Sequence, residues 1–107
     1  VTGIIDPGEQ PAAAAAREAA EDAGVEIDVV RLASTSGTGE VLYDNGDRAR
    51  YLDLTFECRY RSGEPLPVDG EASEVTWFAL DELPVSDEMR WRIDTALAVG
   101  PAQFLTT

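Results

Sequence analysis

The sequence has no histidine and no lysine, and Cys58 is the single cysteine among its 107 residues. One cysteine excludes a disulfide within the chain and a cysteine-based zinc site. The lack of histidine excludes triads that need an imidazole base and metal sites with imidazole ligands. The sequence also has no apolar run near the roughly 18–20 residues that a membrane-spanning helix needs, so we expect no membrane partner.

Positive charge is scarce as well: eight basic residues stand against 21 acidic ones, and the formal net charge is −13. Proteins that bind phosphate backbones are usually basic, so direct binding of a nucleic-acid duplex is not expected. Such an acidic chain is suited to divalent cations, which prefer oxygen ligands. The apolar fraction of 44% and the charged fraction of 27% are typical of a globular protein. We expect one domain over residues 1–107 and a cytoplasmic location.

The pattern of elements predicts a mixed α/β or α+β fold. Residues 11–23 are rich in alanine, start with Pro11 and are followed by Gly24, which predicts a helix with a glycine at its C-terminal cap. The other predicted elements are a strand at 25–34, a hairpin around the turn at 44–47, a return strand at 50–60, a strand at 74–80 and a helix at 87–98. No strand precedes the first helix, so we expect that an N-terminal segment is missing from the sheet.

Three acidic residues of the first predicted helix, Glu18, Glu21 and Asp22, fall on one helix face at 3.6 residues per turn. Carboxylates this close repel one another, and a divalent cation would offset the repulsion. Oxygen ligands alone favour Mg²⁺ or Mn²⁺ over zinc. The alternative is a solvated acidic face with no ligand, which is the common role of charged helix faces.

The stretch from Gly3 to Val25 resembles the Nudix box of the Nudix hydrolases. That pattern is a glycine, five residues, a glutamate, seven residues, and then Arg-Glu-aliphatic-any-Glu-Glu-any-Gly-aliphatic. The matching residues are Gly3, Glu9, Arg17, Glu18, Glu21, Gly24 and Val25. The segment at 71–84 is also similar to the family, so the resemblance covers nearly the whole chain.

The resemblance implies a Nudix-like fold, in which a mixed sheet lies between helices, and hydrolysis of a nucleoside diphosphate linked to another group. Magnesium, or alternatively manganese, would be the cofactor, and a small nucleoside diphosphate derivative the substrate. The implied metal ligands are Glu18, Glu21, Asp22 and the carbonyl of Gly3. Arg17 would orient the carboxylates, and Glu9 would hold the loop to Arg17.

The general base is assigned to a later loop or to the box itself, with Glu71 as the first candidate and Glu74 as the second. The implied catalytic residues are therefore Glu21, Glu18, Arg17 and Glu71. The sequence assigns no residue to substrate binding.

The sequence departs from the family pattern at two positions of the box. Asp22 is one methylene shorter than the usual glutamate, and Ala19 is smaller than the usual aliphatic residue. These departures keep open a second hypothesis, a non-catalytic Nudix-like domain that binds a nucleotide or a protein. A third is an acidic interaction domain without a ligand site. Because family members often form homodimers, a homodimer is a further expectation.

Overall fold

The protein is described by a computed structural model that covers residues 1–67 and 74–107. Two helices, five strands and a short 3-10 turn occur in these ranges. In chain order they are α1 (Pro11–Ala23), β1 (Glu26–Gly37), β2 (Val41–Leu42), β3 (Arg48–Ala49), β4 (Leu52–Ser62), the 3-10 turn (Leu80–Glu82), α2 (Asp87–Leu97) and β5 (Gln103–Phe104).

Helix α1 has the bounds that the sequence predicts. Its N-cap, Gln10, makes no side-chain hydrogen bond to the helix, and Pro11 occupies the first turn, where the missing N–H leaves no bond unmade. At the other end Gly24 has a φ of 72°, and its N–H donates to the Ala20 carbonyl at 3.1 Å. Glycine adopts this left-handed conformation without the steric cost of a side chain, so it ends the helix sharply.

The main sheet is mixed and has the strand order β4-β1-β5. Strands β1 and β4 are antiparallel, from the pair Glu26–Ser62 to the pair Gly37–Leu52, whereas β5 is parallel to β1. Strands β2 and β3 form a separate antiparallel hairpin across the predicted turn. The prediction of a mixed α+β fold is confirmed. Strand β5 was not predicted, because two residues are too short to show an alternating pattern.

The predicted strand at 74–80 is wrong. Residues 74–79 have no regular secondary structure, and a 3-10 turn follows at Leu80–Glu82. Trp77 meets the ring of Tyr60 edge-on, with 5.2 Å between the ring centroids, but it remains 63% exposed. A strand is stabilised by a ladder of backbone hydrogen bonds to a neighbour, and aromatic composition alone does not supply that ladder.

Both helices pack against β1. Helix α1 contributes Ala19 and Ala23 to a small apolar cluster with Val25, against which Ile27 and Val75 pack. The alanines keep the helix backbone close to the start of β1, so the position of α1 relative to the sheet is well defined.

Helix α2 is joined to β1 by polar contacts. The buried hydroxyls of Thr95 and Ser34 are hydrogen-bonded at 2.8 Å. From β1, the Arg31 guanidinium donates to the carbonyls of Thr95 and Ala98 near the C-terminus of the helix. These bonds satisfy carbonyls that have no partner within the helix. No helix in the described ranges is long and apolar enough to cross a membrane.

Candidate active site

Arg17 of α1 joins the helix to the preceding loop. Its Nε donates to Oε2 of Glu9 at 2.8 Å, and its Nη2 donates to Oε1 of Glu9 at 2.9 Å and to the carbonyl of Ile4 at 3.0 Å. The same Glu9 carboxylate accepts from the backbone N–H of Asp6 at 3.1 Å. A planar guanidinium matches a carboxylate in this two-point geometry, so the loop is held in one place against the helix.

The third nitrogen of the guanidinium, Nη1, contacts the acidic residues of the helix. Nη1 of Arg17 donates to Oε1 of Glu18 at 2.9 Å and to Oε2 of Glu21 at 3.1 Å. Both carboxylates therefore share one nitrogen atom and are neighbours. The Glu18 side chain is 17% exposed and the Glu21 side chain 52% exposed, so Glu21 is the more open to solvent.

Gly3 lies directly against the Glu18 carboxylate. A Cβ placed on Gly3 would be 2.1 Å from Cδ of Glu18, far inside contact distance. Glycine is therefore the residue that lets the loop backbone come this close to the carboxylate. The Gly3 backbone therefore lies beside one of the two carboxylates that Arg17 contacts.

The electrostatics follow from these contacts. The hydrogen bonds from Arg17, and then the one from the Asp6 N–H, lower the pKa of Glu9 below its ordinary value, because both favour the charged carboxylate. The carboxylates, Glu9 first, raise the pKa of Arg17 above its ordinary value. Both groups are thus fully charged near neutral pH.

Of the remaining predicted site residues, the structure describes Asp22 and Glu74. Asp22 lines a second cavity of about 400 Å³ together with Val1, Thr2 and the predicted alternative base Glu74. Glu71, the first candidate for the general base, lies outside the described residues. Within residues 1–67 and 74–107, no group of three or more cysteine or acidic side chains is close enough to hold a metal ion. The roles of Asp22 and Glu71 stay predictions.

A larger cleft, of about 470 Å³, opens beside Gly3, and the sequence did not point to it. Its lining residues are Thr2, Gly3, Ile4, Thr38, Tyr43, Tyr51, Asp53, Glu88, Met89 and Arg92. They come from the loop before α1, the β2–β3 region, β4 and α2. The signal that could have found them is the pair of tyrosines that flanks the predicted hairpin turn, since aromatic residues with a polar tip are common in binding sites.

Comparisons with known proteins show the family to which the chain belongs. A family model of the NUDIX domain matches residues 1–98. The NAD-capped RNA hydrolase NudC of Stutzerimonas stutzeri (strain A1501) is 30% identical over 84 residues, which are 78% of this chain and 28% of that protein. The NAD-capped RNA hydrolase NudC of Pseudomonas aeruginosa (strain LESB58) is also 30% identical over 84 residues, which are 78% of this chain and 27% of that protein.

The chain thus spans less than a third of the length of these relatives. The family model covers nearly all of this chain, including helix α1 and the loop that Arg17 joins to it. The resemblance of the Gly3–Val25 segment to the Nudix box is confirmed, and the chain belongs to the Nudix family.

Proposed function

We propose that this chain is a metal-dependent pyrophosphohydrolase that cleaves a nucleoside diphosphate linked to another moiety. The observation that carries the proposal is the set of hydrogen bonds that Arg17 makes. Its Nη1 donates to both Glu18 and Glu21, and its Nη2 donates to the carbonyl of Ile4 in the loop before the helix. The relatives named NAD-capped RNA hydrolases support it, because a dinucleotide such as NAD contains two nucleosides joined by a diphosphate.

The donor set fits a divalent cation. Glu18 and Glu21 are adjacent, Gly3 lies against Glu18, and every donor is an oxygen. Magnesium, and alternatively manganese, accepts such ligands and keeps several waters, so a few protein donors suffice. Glu18, Glu21, Asp22 and the Gly3 carbonyl are the residues that would hold the ion. A bound cation supplies positive charge to the diphosphate oxygens in phosphoryl transfer.

The chain's own residues then have distinct tasks. Arg17 is a positioning residue, because it touches the two carboxylates and the Ile4 carbonyl rather than a reacting atom. Glu9 fixes Arg17 and thereby the loop. Water attacks one phosphorus, the P–O–P bridge breaks, and two phosphomonoesters form with release of a proton. Glu71 is proposed as the base that accepts that proton.

The test is an assay of the full-length protein with Mg²⁺ or Mn²⁺ and a panel of ADP-ribose, NADH, dinucleoside polyphosphates and oxidised deoxynucleotides. We expect turnover of at least one substrate, which Glu21→Gln lowers by 100-fold or more (on the order of an active-site group). The matched control is Glu64→Gln, an exposed acidic residue outside the site, which should keep wild-type activity. Turnover that survives Glu21→Gln would contradict the assignment of Glu21.

A non-catalytic nucleotide-binding domain is the second candidate. It is favoured by Asp22 in place of the usual glutamate and by the lack, among the described residues, of a group of three acidic side chains close enough to hold a metal. Binding of a panel nucleotide without hydrolysis under any metal condition would support this candidate and contradict the enzyme.

A further inference from the structure

We propose that the cleft beside Gly3 binds one nucleoside half of the substrate and that the ring of Tyr43 stacks on its base. The inference rests on the proposed function and adds the residues that would hold the nucleoside, which the sequence analysis did not assign. The nucleoside in the cleft would have an aromatic base and a ribose that carries no further phosphate.

The position of the cleft connects it to the diphosphate end of the site. Gly3 and Ile4 lie on its wall, and the same two residues contact the Glu18 carboxylate and the Arg17 guanidinium. A substrate whose diphosphate is held near Glu18 would therefore reach into the cleft with the group attached to that diphosphate. The volume of about 470 Å³ is within the usual range for small-molecule sites.

The aromatic wall is fixed by backbone hydrogen bonds. Tyr51 donates its N–H to the hydroxyl of Thr38 at 2.9 Å, and its carbonyl accepts from the Thr38 N–H at 2.9 Å. The backbone of Tyr43 is closed into the hairpin turn by an N–H bond to the Asp47 carbonyl at 2.8 Å. The two tyrosine hydroxyls are in contact. An aromatic surface held in this way loses little conformational entropy when a ring binds.

Tyr43 is the more exposed of the two tyrosines. Its exposed fraction is 43%, whereas Tyr51 is half-buried. Bases stack on aromatic side chains regardless of base identity, because every base has a π-face. The contact would thus favour a nucleoside over a bare sugar or a phosphate.

Another part of the cleft wall carries an acidic pair that Arg92 holds. Nη2 of Arg92 donates to Oδ2 of Asp53 at 2.6 Å and to Oε1 of Glu88 at 2.8 Å. Two carboxylates against one guanidinium give this wall a negative balance. It repels additional phosphates, and carboxylate oxygens accept hydrogen bonds from ribose hydroxyls. The two walls together match a nucleoside whose ribose carries no extra phosphate.

The experiment compares Tyr43→Ala and Tyr43→Phe in the full-length protein, with Tyr60→Ala as a control at an exposed tyrosine outside the cleft. The substrate is diadenosine diphosphate, which has a nucleoside at both ends, so either half can occupy the cleft. A second measurement is calorimetric binding of the analogue with a methylene in place of the bridging oxygen, which does not depend on turnover.

We expect Tyr43→Ala to raise both KM and the dissociation constant of the analogue by about fivefold or more, with little change in kcat. Tyr43→Phe keeps the ring and should stay near wild type, as should Tyr60→Ala. An unchanged KM and affinity in Tyr43→Ala, with wild-type hydrolysis intact, would overturn the inference and leave the proposed function standing. A wild-type protein that hydrolyses no substrate would overturn the proposed function, and the inference with it.

Discussion

Arg17 and Glu9 form a two-point ion pair, with Nε to Oε2 at 2.8 Å and Nη2 to Oε1 at 2.9 Å. The pair joins helix α1 to the loop that precedes it across eight residues. Because the remaining nitrogen of the guanidinium, Nη1, contacts Glu18 and Glu21, one arginine fixes the distance between the loop and the acidic helix face. The predictions below test what depends on this arrangement.

Replacing the arginine with a lysine tests the two-point geometry. Arg17→Lys keeps the charge but cannot form parallel bonds to Glu9 while it holds two further carboxylates. We expect the metal concentration for half-maximal activity to rise about 10- to 100-fold, as is typical when a residue that orients metal ligands is lost. A titration of activity against Mg²⁺ measures this. Arg48→Lys, at an exposed ion pair with Glu40, is the control and should titrate like wild type.

Adding one methyl group at Gly3 tests the close approach of the loop. In Gly3→Ala the new Cβ would overlap Cδ of Glu18, so the carboxylate must move. Because the end of a side chain yields more easily than a backbone, we expect the melting temperature to change little. Activity should fall by about 100-fold, the scale of a misplacement near 1 Å.

The control for that substitution is Gly39→Ala, where an added Cβ meets nothing within 4 Å. It should keep wild-type activity. Equal activity of the Gly3 and Gly39 variants would show that the Glu18 carboxylate has no role in turnover.

The lowered pKa of Glu9 makes stability depend on pH. Its pKa lies below the ordinary value of 4.5, so its contribution is fully present above about pH 4.5 and is lost as the pH falls through the lower value in the folded protein. Melting temperatures of the wild type and Glu9→Gln, measured from pH 7 to pH 3, should differ most at neutral pH and converge in acid. A gap that widens in acid would contradict the sign of this linkage.

The buried hydroxyl pair between α2 and β1 tests the packing of the second helix. Thr95→Val keeps the volume but removes the partner of the Ser34 hydroxyl, which is 1% exposed. We expect the free energy of unfolding to fall by about 1–3 kcal/mol, the cost of a buried polar group without a partner. Urea unfolding measures the loss. In the double variant with Ser34→Ala most of the stability should return, since no orphaned hydroxyl remains.

Part of the fold and of the site followed from local sequence. The bounds of α1 were predicted from the alanine run, Pro11 and Gly24, and all of these act within a few residues of the chain. The hairpin was predicted from its turn residues for the same reason. The spacing of Glu18, Glu21 and Asp22 predicted three carboxylates on one helix face. Glu18 and Glu21 are neighbours on Arg17, and the role of Asp22 stays a prediction.

Other features depend on contacts between distant parts of the chain. The strand predicted at 74–80 failed because strand formation needs a neighbour that aromatic composition does not specify. The cleft brings together segments as far apart in the chain as Thr2 and Arg92. The hydrophobic periodicity of a single helix or strand does not predict contacts between such distant segments.

The order of residues in the loop and helix thus determined a rod with neighbouring carboxylates and an arginine beside them, because helical geometry alone sets those relations. Tertiary structure decided how near Gly3 comes to Glu18, and it decided which side chains form the walls of the cleft. Those outcomes depend on how the helices pack on the sheet, and packing is a property of the folded chain as a whole.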